Sequence, residues 1–501
     1  MRYLPNGKQM SEADAHTIHE IGIPSLVLME RAALQIVETM HKKNISTEKS
    51  LIVCGSGNNG GDGFAVARLL TEQGKHADVL FAGKEASLSE ECRCQKQIVE
   101  NMGISVFTEF PDEEYTVIID AVFGVGLCRE ITGHYKDVID WMNLQDAEKV
   151  AVDIPSGICA ATGKILGTAF RADLTVCMAC VKLGCELFPG KSYAGESIPV
   201  AIGIDPKYFS NRLDVCYTFD KNDLGKLLPS RMMNSHKGSY GKVLMITGSP
   251  GMAGSAFLSA CAAYTVGAGL VQIYTASENR LALQELLPEA IISCYDSYDD
   301  SQLSHLLDWA DVVCIGCGLG TGQISEKILK NVSCPCVIDA DGLNLLSRNI
   351  ELLNQCCAPV ILTPHMKEMS RLTGWSIDTI MEDRFQALDQ IIKQSGPDTK
   401  SSIICVLKDS RTVVAQTNRQ KFVNLAGNNS MAKGGSGDVL AGTIAGLLAQ
   451  HMAPFEATTV GVFLHACGGD EAKKSKGSYS VLARDLIQGM ADAMKNAKEC
   501  R

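Results

Sequence analysis

Aspartates beside glycine-rich turns are the side chains of this sequence best suited to proton transfer. Asp438 follows a turn that contains Gly434, Gly435 and Gly437, and an apolar stretch typical of a helix comes next. Amides at the start of such a helix attract phosphate, and the helix dipole favours its charge. Asp438 would then lie beside a phosphate and could deprotonate a hydroxyl that attacks it. The alternative is an acid that only stabilises the first turn of the helix.

The first half of the chain contains a second candidate site. Residues 55–63 are rich in glycine, which permits positive φ and lets main-chain N–H groups approach phosphate oxygens. Asp62 lies in this segment, and Asp120 and Asp153 end the apolar runs VIID and VAVD. Carboxylates that meet at strand ends above a glycine loop can form an acid/base or cation site. Each of them taken alone is equally consistent with a turn or cap residue.

The elements that must position these residues alternate between strand and helix patterns. Strand patterns cover residues 51–55, 77–81, 116–124 and 150–157, and the first glycine loop (56–63) precedes a helix pattern at 64–74. The alternation restarts at 242–248 after a polar segment, which places a domain boundary near 215–230. We therefore predict an α/β fold with two mostly parallel sheets, whose ligands bind beyond the carboxyl ends of the strands. The uncharged stretch from Lys242 to Glu278 is interpreted as a βαβ unit rather than a membrane span.

Composition excludes several classes of protein. A chain of 501 residues allows two or three domains, and 46% hydrophobic with 21% charged residues is typical of a globular protein. A net charge of −11 argues against general binding to nucleic acid or anionic membranes. The 20 cysteines are scattered, and the N-terminus lacks the apolar core of a signal peptide, so we expect reduced thiols in a cytoplasmic protein.

Four motifs of the first half, in the same order, resemble the NAD(P)H-hydrate epimerase family. They are IGIPSLVLMERAA, GSGNNGGDGFAVARLL, IIDAVFGVGL and VDIPSGI. Members of this family interconvert the R and S forms of NADH and NADPH that carry water at C6 of the nicotinamide ring. The resemblance implies a Rossmann-like αβα sandwich over residues 1–215.

The resemblance also implies roles for individual residues. A potassium ion would be held by Asn59, Asp120 and Ser156. Asp153 would contact the nicotinamide end and move the proton during epimerisation. The hydrate would further be bound by Asn58, Asn59, Gly60, Gly61, Asp62, Gly124, Val125, Gly126, Leu127, Cys128, Arg129 and Glu130.

The second half resembles the ribokinase-like superfamily through GGSGDVLAG, and GNNSMAKGGSGDVLAG with TPHMKEMSRLTG narrows this to the NAD(P)H-hydrate dehydratase family. The resemblance implies a ribokinase-like αβα domain over residues 225–501. The implied reaction phosphorylates the C6 hydroxyl of the S hydrate with a nucleotide and then eliminates phosphate. This would restore NAD(P)H and, with ADP, give AMP and phosphate. Mg²⁺ is the implied metal, and we favour ADP over ATP.

Asp438 is the implied general base of this second site, and Gly254, Gly320 and His365 are the implied contacts to the hydrate. The implied nucleotide-binding residues are Lys408, Asp409, Ser410, Arg411, Thr412, Asn428, Asn429, Ser430, Met431, Ala432, Lys433, Gly434, Gly435, Ser436 and Gly437.

Two positions depart from the dehydratase pattern. Asp409 stands where a glycine is usual and could weaken nucleotide binding by its charge, and Met366-Lys367 replaces a proline or glycine after His365. Asp339 and Asp341 could bind magnesium or merely cap a turn, and both options stay open.

The sequence thus predicts a bifunctional NAD(P)H-hydrate repair enzyme that acts on the hydrates with ADP and forms a homo-oligomer. Two alternatives remain. In one, the chain is a ribokinase-like small-molecule kinase, which would release a stable phosphorylated product. In the other, the first domain is a catalytically silent binding module.

Overall fold

A computed structural model describes residues 1–320, 328, 331–393 and 402–499. The chain forms two compact units, of which the first contains Arg2–Cys216 and the second contains Tyr217–Arg501. Among the described helices, none combines the length and the apolar composition needed to cross a membrane.

The first unit is built on a sheet of parallel strands. The strands of this unit are β1 (Arg2–Leu4), β2 (Lys49–Cys54), β3 (His76–Phe81), β4 (Val106–Phe107), β5 (Val117–Ala121), β6 (Glu148–Val152), β7 (Leu174–Met178) and β8 (Glu196–Val200). The sheet runs in the order β4-β3-β2-β5-β6-β7-β8, and every neighbouring pair is parallel. The chain proceeds in opposite directions from β2 and β5, so a crevice opens beyond the carboxyl ends of these two strands.

Helices cover both faces of this sheet. They are α1 (Gly7–His16), α2 (Ser25–Lys42), α3 (Asn58–Glu72), α4 (Glu90–Asn101), α5 (His134–Leu144), α6 (Leu183–Glu186) and α7 (Lys191–Ala194), with a π-helical turn at Thr17–Ile21 and 3₁₀ turns at Glu85–Ser87 and Pro206–Phe209. Leu51 and Val53 of β2 belong to one hydrophobic cluster, whereas Ile52 and Cys54 belong to another. The strand is therefore buried on both faces, which explains its unbroken apolar sequence and confirms the αβα layering.

The first glycine segment differs from its prediction. We expected a loop up to residue 63 with positive φ at its glycines, but α3 already begins at Asn58, and none of these glycines has positive φ. The reason is close packing: a Cβ atom on Gly60 would lie 2.0 Å from the carbonyl oxygen of Gly55, and one on Gly61 would lie 2.6 Å from Cε of Met29. The glycines let the start of α3 lie directly on the end of β2.

The second unit contains a larger sheet. Its strands are β9 (Cys216–Thr218), β10 (Lys242–Ile246), β11 (Leu270–Ala276), β12 (Ile291–Tyr295), β13 (Val312–Ile315), β14 (Cys336–Ile338), β15 (Val360–Leu362), β16 (Ile403–Leu407), β17 (Val413–Gln416) and β18 (Phe422–Val423). They run in the order β9-β18-β17-β16-β15-β14-β13-β10-β11-β12 and are parallel except for the β16–β17 and β17–β18 pairs. The predicted strands at 242–248, 311–316, 336–342, 359–365 and 402–409 are confirmed, each somewhat shorter than its sequence pattern.

The helices of the second unit begin where its strands end. They are α8 (Leu224–Leu227), α9 (Ala253–Thr265), α10 (Arg280–Leu286), α11 (Asp300–Trp309), α12 (Asp341–Leu346), α13 (Met366–Thr373), α14 (Ile377–Glu382), α15 (Arg384–Ile392), α16 (Ser436–Ala449), α17 (Pro454–Lys476) and α18 (Ala483–Glu499), with 3₁₀ turns at Lys221–Asp223, Lys237–Tyr240, Ser277–Asn279, Ile350–Gln355 and Asn429–Met431. β10, α9 and β11 form the predicted βαβ unit. Helices α9 and α16 touch at Gly442, where a Cβ atom would lie 1.9 Å from the carbonyl oxygen of Ser259.

Candidate functional site

A cavity of about 840 Å³ lies in the first unit, within the range of small-molecule binding sites. Most of the predicted hydrate-binding residues line it, namely Asn58, Asn59, Asp62, Gly124, Val125, Gly126, Leu127, Cys128, Arg129 and Asp153. Gly60, Gly61 and Glu130 are not part of its wall. The two glycines pack the start of α3 against its neighbours instead.

Of the three residues predicted to hold potassium, Asn59 lines this cavity, whereas Asp120 and Ser156 are fully buried and are not part of its wall. The Asp120 carboxylate is fully buried and accepts hydrogen bonds from the Ser156 hydroxyl at 2.6 Å and the Ser156 N–H at 2.7 Å. Burial raises the pKa of Asp120 to about 6, although the bonds from Ser156 counteract this. The Asn59 amide lies beside Gly124, and among the described residues its buried Nδ2 has no hydrogen-bond partner. A buried amide without a partner in a polar cluster is what a missing ligand would leave behind.

Asp153 is held in an unusual conformation by a buried lysine. Its φ is +68°, and its carboxylate accepts a hydrogen bond from the Met178 N–H at 2.8 Å and one from Lys182 Nζ. The Lys182 side chain is fully buried and also donates to the Met178 carbonyl at 2.9 Å. Burial acts to lower the pKa of Lys182, but the charge and hydrogen bond of Asp153, together with the nearby thiols of Cys177 and Cys180, outweigh it, so the pKa is raised. The lysine therefore stays charged opposite Asp153.

Sequence reasoning gave Lys182 no chemical role. Its one signal was a lone charge within CMACVKLGC, a segment that is otherwise apolar and rich in cysteine. Such a charge must find a buried partner or reach solvent. The partner is Asp153, which follows β6 and lies 29 positions earlier in the chain. Only the fold brings Asp153 and Lys182 together.

In the second unit, Asp438 lies in the first turn of α16, next to two other potential ligand groups. One atom each of Cys317, Asp339 and Asp438 lie within 4.8 Å of one another. Burial and the neighbouring Asp339 raise the pKa of Asp438 to about 6, while hydrogen bonds with Ser255 and Cys317 act in the opposite direction. Asp438 is thus close to the point at which it can accept or release a proton near neutral pH.

A lysine also organises this site. Lys408 Nζ lies 2.6 Å from Oδ1 of Asp339, and the Thr363 hydroxyl donates to the same oxygen at 2.7 Å. A Cβ atom on Gly437 would lie 3.3 Å from Lys408 Nζ, so glycine keeps the helix start close to the lysine. Lys408, which was predicted to bind nucleotide, therefore pairs with Asp339, the acid next to Asp438. The sequence analysis did not include Ser255, in the first turn of α9, and Cys317, in the loop after β13, which both interact with Asp438.

The other predicted contacts of this site are spread along its loops. His365 caps α13, and its Nδ1 accepts hydrogen bonds from the N–H groups of Lys367 and Glu368, both at 3.1 Å. Burial and Lys408 lower the pKa of His365. The N–H of Gly320 donates to Asp341 at 2.8 Å, so this aspartate, in the first turn of α12, holds the loop at Gly320 and does not cap its own helix. Open space surrounds Gly254 in the first turn of α9.

The predicted nucleotide segments form two turns. In the first, Asp409 lies 3.3 Å from the guanidinium of the buried Arg384. This ion pair offsets the negative charge of Asp409, which stands where a glycine is usual in the family. In the second, Asn428 accepts hydrogen bonds from the N–H and hydroxyl of Ser430. Gly435, with a φ of +90°, then turns the chain into α16. The exposed members of this second turn are Asn429, Ala432, Lys433 and Gly434.

Comparison with known proteins covers both units. A family model described as YjeF-related protein N-terminus matches residues 25–184, and one described as NAD(P)H-hydrate dehydratase matches residues 243–491. The bifunctional NAD(P)H-hydrate repair enzyme of Moorella thermoacetica is 34% identical over 527 aligned positions, covering 99% of this chain and 97% of that relative. The corresponding enzyme of Coxiella burnetii is 35% identical, with 97% and 98% covered.

A solved structure, the ADP/ATP-dependent NAD(P)H-hydrate dehydratase of Bacillus subtilis co-crystallised with ATP and Mg²⁺, also resembles the chain. It has a TM-score of 0.47 and 27% identity, and the match covers 56% of this chain and 97% of that one.

Proposed function

Because the chain belongs to the family of bifunctional NAD(P)H-hydrate repair enzymes, we propose that its first unit epimerises hydrated NADH and NADPH and its second unit dehydrates the S form. The observation that carries this proposal is the pair of carboxylate sites, one per unit, each at the carboxyl ends of parallel strands. The boundaries that we propose for the two activities are residues 1–215 and 225–501.

In the first unit, Asp153 is the residue that moves the proton during epimerisation. It lines the cavity, and Lys182 and the Met178 N–H hold its carboxylate in place. Asn58, Asn59, Asp62 and the segment 124–129 surround the hydrate in this proposal. Glu130 and the two buried glycines, Gly60 and Gly61, contribute by shaping the loops that bear these contacts.

The residues proposed for potassium fit a hard cation. Carboxylate, hydroxyl and amide oxygens are the donors that such ions prefer, and Asp120, Ser156 and Asn59 supply one of each. The unpartnered Nδ2 of Asn59 is a hydrogen-bond donor, so the ion would be bound by Oδ1 and Nδ2 would remain for an acceptor atom of the hydrate. When bound, the ion would supply positive charge that offsets the buried Asp120 and attracts the anionic part of the hydrate.

In the second unit, Asp438 accepts the proton of the C6 hydroxyl while the hydroxyl oxygen attacks the terminal phosphorus of the nucleotide. The amides at the start of α16 stabilise the transferred phosphoryl group. Phosphate is a better leaving group than hydroxide, and its departure from C6 with a proton from C5 restores the dihydronicotinamide. Gly254, Gly320 and His365 are the proposed contacts to the hydrate here.

For the nucleotide we propose ADP, held by residues 408–412 and 428–437, with ATP as the less favoured co-substrate. The carboxylate oxygens of Asp339 and Asp438 suit Mg²⁺, whereas the Cys317 thiol does not. Asp339 lies within 4.8 Å of Asp438, whereas Asp341 accepts the N–H of Gly320, so Asp339 is the residue that we propose for the metal. When bound, the metal would supply charge that offsets the phosphates.

We also propose that the protein is cytoplasmic, since all cysteines of the described part of the chain are free thiols. The homo-oligomer stays a prediction.

The direct test incubates the full-length protein with chemically hydrated NADH and either ADP or ATP, and follows the absorbance of restored NADH. We expect recovery of both epimers, faster with ADP, together with release of free phosphate. No recovery with either nucleotide would refute the dehydratase assignment. A stable phosphorylated product would favour the small-molecule kinase instead.

The Asp438→Asn variant tests the general base. Dehydration should fall by at least about 100-fold, because the asparagine amide cannot accept the proton. Epimerisation should continue unchanged in the same sample. In the wild type, dehydration should decline as the pH falls through about 6, since protonation there removes the base. A mild effect of the substitution would leave Asp438 only its stabilising role in the first turn.

The potassium site is tested by replacing K⁺ with tetramethylammonium, a cation that cannot enter a cluster of three small ligands. The wild type should epimerise more slowly without K⁺, while Asp120→Asn should be slow in both solutions. The Glu72→Gln variant, which removes an exposed carboxylate from α3, should respond to K⁺ as the wild type does. Equal wild-type rates in both solutions would argue against the ion.

A further inference from the structure

Three carboxyl groups line the cavity of the first unit, and two of them, Asp153 and Asp62, have unequal surroundings. Asp153, after β6, is engaged by the buried Lys182 and by the Met178 N–H. Asp62, in α3, has no hydrogen-bond or ion-pair partner for its carboxyl within the described part of the chain. One carboxylate is therefore paired with a lysine, whereas the other faces the cavity without an ion pair.

We propose that Asp62 is the proton donor that works opposite Asp153 in epimerisation, and that Lys182 is the positioning residue that keeps Asp153 the acceptor. This assignment rests on the proposed epimerase function and extends it from one catalytic group to an acid/base pair. Two titratable groups pushed toward opposite protonation states are the usual requirement for such a pair.

The proton movements balance without any further reactant. Asp153 takes the proton of the C6 hydroxyl, the C6–N1 bond breaks, and N1 receives both the bonding electrons and a proton from Asp62. The product is an open-chain aldehyde. After rotation about the C5–C6 bond, N1 attacks the other face of C6 and returns its proton to Asp62, while the oxygen recovers its proton from Asp153. Both carboxyl groups end the cycle as they began it.

The charges around Asp62 favour its protonated form. Burial raises its pKa well above the ordinary value, and Asp153 and Asp14 add to this, whereas Lys182 opposes it. The thiols of Cys54 and Cys92 also face it, and burial raises both of their pKa values, that of Cys92 to about 12, so they add no charge near neutral pH. Asp14, from α1, is the one competing acid at this cavity, and burial raises its pKa as well.

The pH profile of epimerisation tests the pair in the full-length protein, starting from one purified epimer of hydrated NADH. In the wild type the rate should fall toward alkaline pH, an alkaline limb that reflects the need for a protonated Asp62. Asp62→Asn should slow the reaction by about 100-fold or more and abolish the alkaline limb, while Asp62→Glu should recover part of the rate.

Lys182 is tested in the same assay. Lys182→Met should lower kcat for epimerisation by about 10-fold or more with little change in KM, because Asp153 loses the cation that positions its carboxylate, whereas Lys182→Arg should recover part of the rate. A lysine needed only for folding would lower thermal stability without this difference between kcat and KM. Glu72→Gln, again on α3 but away from the cavity, should match the wild type.

Several outcomes would overturn the assignment. If the wild-type profile has no alkaline limb, Asp62 is not the donor. The same conclusion follows if Asp62→Asn keeps a normal rate and still shows the alkaline limb. Loss of that limb in Asp14→Asn alone would transfer the role to Asp14. A wild type that does not interconvert the epimers at all would remove the proposed epimerase function itself, and the pair with it.

Discussion

In each unit, a lysine with little or no exposure lies against a carboxylate that follows a strand. Lys182 is fully buried beside Asp153, and Lys408 is 19% exposed beside Asp339. Such a pair fixes where negative charge resides, because neither partner can be left alone in a buried place without a large cost. A second carboxyl group then lies near each pair, Asp62 in one unit and Asp438 in the other. Its pKa is raised by burial and by the paired acid.

The sheets and glycines serve this arrangement. Parallel strands bring their carboxyl ends to one edge, so residues far apart in the chain meet there. Gly60 lets the start of α3 lie on the end of β2, and Gly442 lets α16 lie against α9, because each allows main chain to touch main chain. The second carboxyl of each site is carried by one of these two helices. The packing of these helices therefore sets the distance between the second carboxyl and the lysine-bound carboxylate, which are Asp62 and Asp153 in the first unit and Asp438 and Asp339 in the second.

The sequence allowed most of the fold to be predicted, because fully buried strands are continuous apolar runs and glycine marks their ends. Asp120 and Asp153 were found for the same reason, since they end such runs, whereas Asp438 was found because it follows a glycine-rich turn and precedes an apolar helix pattern. Lys182 and Cys317 were not, because their partners lie in distant loops and no local pattern identifies them. The glycines of α3 were found, but their purpose was misjudged: positive φ and close packing both select glycine, and only coordinates separate the two.

The central claim is that each site is organised by its own buried lysine. The most direct measurement compares Lys182→Met and Lys408→Met in the full-length protein, with epimerisation and dehydration of the S hydrate assayed in each sample. The account predicts reciprocal loss: the first variant loses epimerisation but retains dehydration, and the second does the opposite. The account would be contradicted if either variant lost both activities, or if both variants kept both activities.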